Sequence, residues 1–418
     1  MSARNPRGGT PRDEVSRSEV PQALTEEGTV RRGVTAPRGF RAAGVTAGLK
    51  PSGSPDLAVV VNDGPDQVGA AVFTSNRVVG APVTWSRQVV TDHIVRAVVL
   101  NSGGANVATG GEGFAHTHAT AEKTAELLGA SAADVVVCST GLIGVPLAAD
   151  TLLAGLDGAV AGLSTDGGPA AATAIMTTDT VPKQVVVEGP GWSVGGMAKG
   201  AGMLAPSLAT MLVVLTTDAV VDAGTADAAL RAATATTFDR IDSDGCMSTS
   251  DTVLLMSSGA SGISPDADEL AAALQSACAQ LARALIADAE GASHDIAIEV
   301  VGASDEAAAV AVGRAVARSN LFKAAMFGND PNWGRIIAQV GTVPEEIAPF
   351  DPAQLDVRIN GLLICRAGGA HDDPTQLDLA AGRDVHVQID LHAGEATATI
   401  WTNDLTHDYV HENSAYST

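Results

Sequence analysis

Lys199-Gly-Ala-Gly-Met-Leu-Ala-Pro-Ser-Leu-Ala-Thr-Met-Leu-Val-Val-Leu-Thr-Thr-Asp218 occupies the middle of this 418-residue chain. A glycine-rich segment with one lysine, Lys199, runs into Ala209 and Thr210. The apolar run Met211–Thr217 follows and has the make-up of a buried strand. A β-branched residue entering an apolar run is ordinary for such a strand, so the segment alone carries two readings. In the second, the chain is cut between Ala209 and Thr210, and Thr210 gains a free α-amine. That amine has a pKa of roughly 7.7–8.0, against roughly 10.4 for lysine. A useful fraction is neutral near pH 7 and serves as base for the threonine's own hydroxyl, the N-terminal-nucleophile arrangement.

Composition sets the bounds. The length allows two domains, or one large domain with an appended one. Apolar residues make up 45% and aromatics only 3%, so small residues must fill much of the interior and backbones must pack closely. The formal charge of −23 argues against nucleic acid, whose phosphates need clustered Lys and Arg. Cys138, Cys246, Cys278 and Cys365 are far apart without a CxxC pair, which is neither a zinc pattern nor a disulfide framework. They fit the reduced thiols of a cytoplasmic protein. No run of about 18 apolar residues is free of charges and breakers, so no membrane span is expected. Residues 1–33 lack apolar periodicity and an h-region of roughly 7–15 residues, and read as a disordered extension rather than a secretory signal.

Strands are expected at Leu57–Asn62, Gly69–Phe73, Ala97–Asn101, Val135–Cys138 and Met211–Thr217. Hairpins are expected around Gly189-Pro190-Gly191 and around His392-Ala-Gly-Glu395, the second joining Val385–Leu391 to Ala396–Thr402. Helices are expected at His116–Leu128, Pro146–Leu163, Thr225–Thr236, Asp266–Ile286 and Asp305–Ala317. The order is not a strict βαβ alternation. It predicts an α/β fold of stacked antiparallel sheets flanked by helices rather than a doubly wound parallel sheet.

Several residues carry both a functional and a plain reading. Thr140-Gly141 follows a strand. A hydroxyl and a backbone N–H side by side suit an oxyanion, and they equally suit a capped turn. Lys199 in a glycine-rich loop would ordinarily be solvated, and GxxxxGK[ST] is absent, so no phosphate loop is indicated. Glu290, in Asp288-Ala-Glu-Gly291, has the look of a solvated helix end. His116 and His118 are two apart, on different faces of a helix, and His371-Asp-Asp373 lies among Gly and Pro, so a catalytic metal is not expected.

The stretch from Lys199 to Leu212 fits the pattern KGxGMxxPxxATML, and further motifs follow the same order. They are Asn101-Ser-Gly-Gly-Ala-Asn106, Cys138-Ser-Thr-Gly-Leu-Ile-Gly144, Ala174-Ile-Met-Thr-Thr-Asp179, Phe238-Asp-Arg-Ile-Asp-Ser-Asp-Gly245 and Ser248-Thr-Ser-Asp-Thr252. Asp288-Ala-Glu-Gly291, Asp330-Pro-Asn-Trp-Gly-Arg335 and Glu412-Asn-Ser-Ala-Tyr-Ser-Thr418 complete the series. Over about residues 34–418 the chain resembles the ornithine acetyltransferase, or ArgJ, family.

The resemblance implies an α/β sandwich of paired sheets covered by helices, of N-terminal-nucleophile type, with a smaller C-terminal domain. It implies self-cleavage at Ala209–Thr210 into an alpha chain, 34–209, and a beta chain, 210–418. Thr210 is then the nucleophile, Thr140 and Gly141 the oxyanion hole, and Thr177, Lys199, Thr210, Glu290, Asn413 and Thr418 the substrate site. The implied reaction moves the acetyl group of N2-acetyl-L-ornithine to L-glutamate by a ping-pong route, without metal or bound cofactor. Acetyl-CoA is left open as a second donor, and a heterotetramer of two alpha and two beta chains is the implied assembly. Where members have Asp-Gly-Glu-Gly-Ala-Thr-Lys, this chain has Asp-Ala-Glu-Gly-Ala-Ser-His294. The cysteine members carry after Asn106 is replaced in Asn106-Val-Ala-Thr-Gly110. The rival readings are an N-terminal-nucleophile aminopeptidase or amidohydrolase of similar fold, and a non-catalytic amino-acid-binding protein.

Overall fold

The computed structural model describes residues 32–205 and 211–415, and in it Leu212–Thr217 is a strand with all six residues buried. Burial on both faces is why this run carries no polar alternation. It is the central strand of a five-stranded sheet, in the order Val68–Phe73, Thr252–Ser257, Leu212–Thr217, Ser193–Lys199, Lys183–Glu188. A four-stranded sheet, ordered Phe40–Val45, Leu57–Asn62, Ala97–Asn101, Val135–Ser139, packs face to face against it. Phe40, Val60, Val98, Leu100 and Val136 of one sheet meet Met197, Leu212, Val214, Leu254 and Met256 of the other.

Each sheet buries its second face under helices. Gly110–Leu128 and Ala149–Ala161 cover the four-stranded sheet, and Ala223–Ala235 and Ala267–Ala287 cover the five-stranded one. The result is a helix–sheet–sheet–helix sandwich, the α/β architecture expected. Each fully buried Leu or Val contributes roughly 1.5–3 kcal/mol. Asp222 and Asp266 cap the second pair of helices, accepting from the amides of Thr225 and Glu269. Ala267–Ala287 is long and apolar enough by composition to cross a membrane, but its apolar face, including Leu274, Leu281 and Leu285, packs on the five-stranded sheet. Backbones do approach closely: a Cβ at Gly44 would collide with the carbonyl of Ala170, where helix Gly168–Ala174 lies on strand Phe40–Val45.

Two expectations need correction, the antiparallel sheets and the hairpin over 385–402. The sheets are mixed rather than antiparallel, because Ala97–Asn101 runs parallel to Val135–Ser139 and Leu212–Thr217 parallel to Thr252–Ser257. Leu57–Asn62 and the strand after it, Val68–Phe73, are joined by a turn but belong to opposite sheets of the sandwich. The expected hairpin over 385–402 has both its strands, Asp384–Asp390 and Ala396–Asn403, but they do not pair. Asp295–Ala303 lies between them, parallel to the first and antiparallel to the second. Its buried Ile298 sits opposite Val387 on one side and Ile400 on the other, a register that aligns three apolar rows.

These strands belong to a six-stranded C-terminal sheet ordered Gly369–Ala370, Leu362–Arg366, Asp356–Ile359, Asp384–Asp390, Asp295–Ala303, Ala396–Asn403. Helices Glu306–Ala317, Asn320–Phe327 and Trp333–Val340 cover one face, and the alternating burial of Asp295–Ala303 reflects that one-sided cover. Gly33 lies in the packed turn Gly33–Thr35, one residue inside the stretch read as an extension; residues 1–31 lie outside the described residues.

His294, where the chain departs from the family pattern, ties the start of Asp295–Ala303 to its neighbours. Its Nδ1 meets Asp404 Oδ2 at 2.9 Å and its Nε2 faces the Leu379 carbonyl at 3.2 Å. The Asp404 hydrogen bond raises the histidine's pKa, with burial opposing. Burial pushes the Asp404 carboxyl up, but His294 and Ser293 bring it below its ordinary value. The histidine's contribution is therefore full below its unfolded pKa of roughly 6.5 and is lost as pH rises through its higher folded value. The carboxylate's contribution is present above roughly 3.9 and is lost as pH falls below that. His294→Gln should lower Tm more at about pH 6 than at about pH 8.5. Thermal melts at the two pH values check this, and an equal loss at both removes the charged pair as the cause.

Candidate active site

Thr140 follows strand Val135–Ser139, and its amide donates to the Asn101 carbonyl at 3.0 Å. Its side chain is buried, and its Oγ1 accepts a hydrogen bond from Lys199 Nζ at 3.0 Å. A hydroxyl that accepts from an ammonium keeps its own hydrogen free to donate elsewhere. The next residue, Gly141, has φ +126°, and a Cβ there would stand 2.9 Å from the Gly104 nitrogen, so the position requires glycine.

Lys199 is not the solvated loop residue its neighbours suggested. It ends strand Ser193–Lys199, pairs with Leu212 and is 1% exposed. Burial pushes its pKa down to about 8; Asp179 opposes the shift and Lys183 adds to it. Asp179 sits behind the site. Its Oδ1 accepts from Lys183 Nζ at 2.6 Å and from the Gly200 amide at 2.7 Å, and its Oδ2 accepts from the Thr177 amide at 2.9 Å. Burial alone would raise this carboxyl, but the charges of Lys183 and Lys199 hold it at about 2. One buried anion thus fixes both the backbone that presents Thr177 and the turn that follows Lys199.

Glu290 is also no solvated helix end. It is 8% exposed, its amide donates to the Ala201 carbonyl at 2.9 Å, and its Oε2 accepts from Asn413 Nδ2 at 2.9 Å. Gly202 makes room for it, because a Cβ there would collide with the Glu290 carboxylate. Asn413 is carried by helix His407–Ala415, so the chain's last described helix reaches the same place.

Thr140, Gly141, Thr177, Lys199, Glu290 and Asn413 all line one cavity. Six residues chosen from sequence, scattered from 140 to 413, therefore converge. Ala209, Thr210 and Thr418 lie outside the described residues. The described chain resumes at Met211, whose amide donates to Asp251 Oδ1 at 3.0 Å. Sequence reasoning assigned no role to Asp179, Gly202, Asp251 or the hydroxyl run Ser248-Thr249-Ser250, which forms another wall of the cavity. The signal for the last was present: four consecutive polar residues, Ser248–Asp251, abut the apolar strand Thr252–Ser257. Glu290 also lines a second cavity, with Lys323, Asp244 and Tyr409, on the side of the C-terminal sheet.

A helix-covered double sheet holding a small, half-open cavity lined by hydroxyls, Lys199 and Glu290 describes a protein that handles a small charged molecule. Comparison with known proteins narrows this further. The ArgJ family profile matches residues 41–418, and the chain belongs to the ArgJ family. It is 61% identical over 384 residues to the arginine biosynthesis bifunctional protein ArgJ of Streptomyces coelicolor, covering 92% of this chain and 99% of that one. It is 60% identical over 385 residues to the protein of the same name from Thermobifida fusca, covering 92% and 100%. Among solved structures, ornithine acetyltransferase of Mycobacterium tuberculosis complexed with ornithine is 58% identical. That match covers 43% of this chain and 97% of that one, with a TM-score of 0.42.

Proposed function

We propose that this protein is the acetyltransferase of arginine biosynthesis that moves the acetyl group of N2-acetyl-L-ornithine to L-glutamate. Family membership and the two bifunctional ArgJ relatives support the reaction class. The observation that carries the site assignment is the hydrogen bond from buried Lys199 to Thr140, beside Gly141, in the cavity that also holds Glu290.

In this reading the chain first cuts itself between Ala209 and Thr210. The Thr210 hydroxyl then attacks the acetyl carbonyl carbon, and the α-amine takes the hydroxyl proton. The oxyanion receives the Thr140 hydroxyl hydrogen and the Gly141 N–H. Lys199, behind Thr140, supplies positive charge in a site shielded from water, where it is worth most. The C–N bond breaks, ornithine leaves with a proton on its nitrogen, and Thr210 holds an acetyl ester. The amine of glutamate attacks that ester and departs as N-acetyl-L-glutamate. No metal or bound cofactor enters this scheme, and acetyl-CoA is an additional donor to assay. We further propose a cytoplasmic heterotetramer of two alpha chains, ending at Ala209, and two beta chains, 210–418. The purified protein incubated with acetylornithine alone should release no more than about one equivalent of ornithine per active site, and should release it continuously only when glutamate is present. Continuous release without glutamate would favour a hydrolase instead.

Glu290 and Asn413 face the substrate as a carboxylate and an amide. Ornithine carries a δ-ammonium that Glu290 complements, whereas the side chain of glutamate has none. Glu290→Gln should therefore slow formation of acetyl-Thr210 from acetylornithine about tenfold or more, and slow its decay with glutamate less. Single-turnover measurements of the two half-reactions check this. Equal impairment of both would assign Glu290 to scaffolding rather than to the ammonium.

A further inference from the structure

We propose that Asp251 is the acid of self-cleavage, giving its proton to the Thr210 nitrogen as the Ala209–Thr210 bond breaks. This rests on the reading of Thr210 as a self-cleaving nucleophile. Asp251 immediately precedes strand Thr252–Ser257, which runs parallel to Leu212–Thr217 with Thr252 opposite Leu212. That register sets Asp251 beside Met211, the residue bonded to Thr210. Its Oδ1 accepts the Met211 amide at 3.0 Å, and the Ser248 hydroxyl also hydrogen-bonds the carboxyl. The side chain is 0% exposed, so a negative charge there has no water to solvate it. Burying such a charge without a close ion pair favours the protonated form.

The groups around it favour the protonated form. Burial pushes the Asp251 carboxyl well above its usual range, and Asp239 adds to this. The Ser248 hydroxyl, the Met211 amide and the charge of Lys199 oppose the shift without cancelling it. A carboxyl biased toward its protonated form therefore lies against the Met211 amide, in the peptide unit that follows the cut.

Self-cleavage needs such a group. The Thr210 Oγ attacks the Ala209 carbonyl carbon, the C–Oγ bond forms, and the C–N bond must then break. An amide nitrogen leaves only when protonated. Of the three hydrogens on the resulting ammonium, one was the amide hydrogen, one comes from Asp251 and one from the Thr210 hydroxyl. The Asp251 carboxylate left behind balances the new positive charge. Water then hydrolyses the Ala209–Oγ ester, giving the Ala209 carboxylate and the free Thr210 hydroxyl.

The test is the rate of disappearance of the whole 42.0 kDa chain after pulse synthesis in a cell-free system, read by intact mass at several pH values. Asp251→Asn keeps an acceptor for the Met211 amide but offers no acidic proton, and should slow cleavage about 10²-fold or more. The wild-type rate should fall as pH rises past the pKa of the acid, and the Asn variant should lose that limb. Asp251→Glu should restore cleavage at least in part, together with the limb. Wild-type cleavage rates in Asp251→Asn, or a slowed rate with an unchanged pH profile, would overturn the proposal. If Asp251→Asn fails to fold, a Glu variant that cuts with a flat profile does the same. If the wild-type chain itself is never cut at Ala209–Thr210, it is the parent reading of Thr210 that fails.

Discussion

Thr210→Ala is expected to leave the purified chain whole at 42.0 kDa and to abolish acetyl transfer, a loss on the order of 10⁴-fold or more. One hydroxyl performs both tasks, so the two losses should appear together. The wild-type chain should give two pieces of 209 residues each, because the cut falls at the midpoint of 418. A single band on a gel therefore does not mean a single product. Sequencing from the new terminus should read Thr-Met-Leu-Val-Val. The neighbouring threonines supply the control. Thr216 Oγ1 donates to the Val34 carbonyl at 2.9 Å and Thr217 Oγ1 to the Ser193 carbonyl at 2.8 Å, both inside the sandwich. Thr216→Ala and Thr217→Ala should cost stability, about 0.5–1.5 kcal/mol for each lost hydrogen bond, while cleavage proceeds. Transfer by Thr210→Ala would put the nucleophile elsewhere.

The second large effect belongs to Thr140. Thr140→Ala removes one oxyanion donor, leaves the Gly141 N–H, and strands the buried Lys199 ammonium without its acceptor. Losing one such donor typically costs about 10²–10³ in kcat, or roughly 2.7–4 kcal/mol. The oxyanion exists only near the transition state, so the loss should fall on kcat with little change in KM. Thr140→Ser, which keeps the hydroxyl, should recover most of the rate. Steady-state kinetics of the two variants check this. A change confined to KM would make Thr140 a substrate-binding residue and no more.

How much of this was legible in the sequence depended on range. Leu57–Asn62, Ala97–Asn101 and Leu212–Thr217 announced themselves because strands covered on both faces are continuous apolar runs. Helices capped by Asp266 and Asp305 were legible for the same local reason. Pairing was not. Nothing near His392–Glu395 says that a strand ninety residues upstream will separate Asp384–Asp390 from Ala396–Asn403; only the matched apolar rows of three distant segments decide it. The site divides in the same way. Thr140, Gly141, Thr177, Lys199, Glu290 and Asn413 were found through motifs, and they line one cavity. Their supports lay inside the same motifs but were given no role, because a supporting residue is defined by what it touches. Asp179 is one acid among many until Lys183, Gly200 and the Thr177 amide surround it. Gly202 is one glycine among 45 until Glu290 needs its space.

The five-stranded sheet alternates between the two sides of the expected cut. Leu212–Thr217 and Thr252–Ser257, from the later half, are flanked on one edge by Val68–Phe73 and on the other by Ser193–Lys199, from the earlier half. Breaking the chain at Ala209–Thr210 thus severs one covalent link in a ladder that six residue pairs on either edge still hold together. The consequence concerns reversibility. Before the cut, unfolding is unimolecular and the connection between Lys199 and Leu212 guides their strands back together. Afterwards two separate polypeptides must meet and interleave, so recovery becomes bimolecular and concentration-dependent. The mature protein would endure by the slowness of its unfolding rather than by its ability to refold, a product that outlives the covalent continuity in which it was assembled.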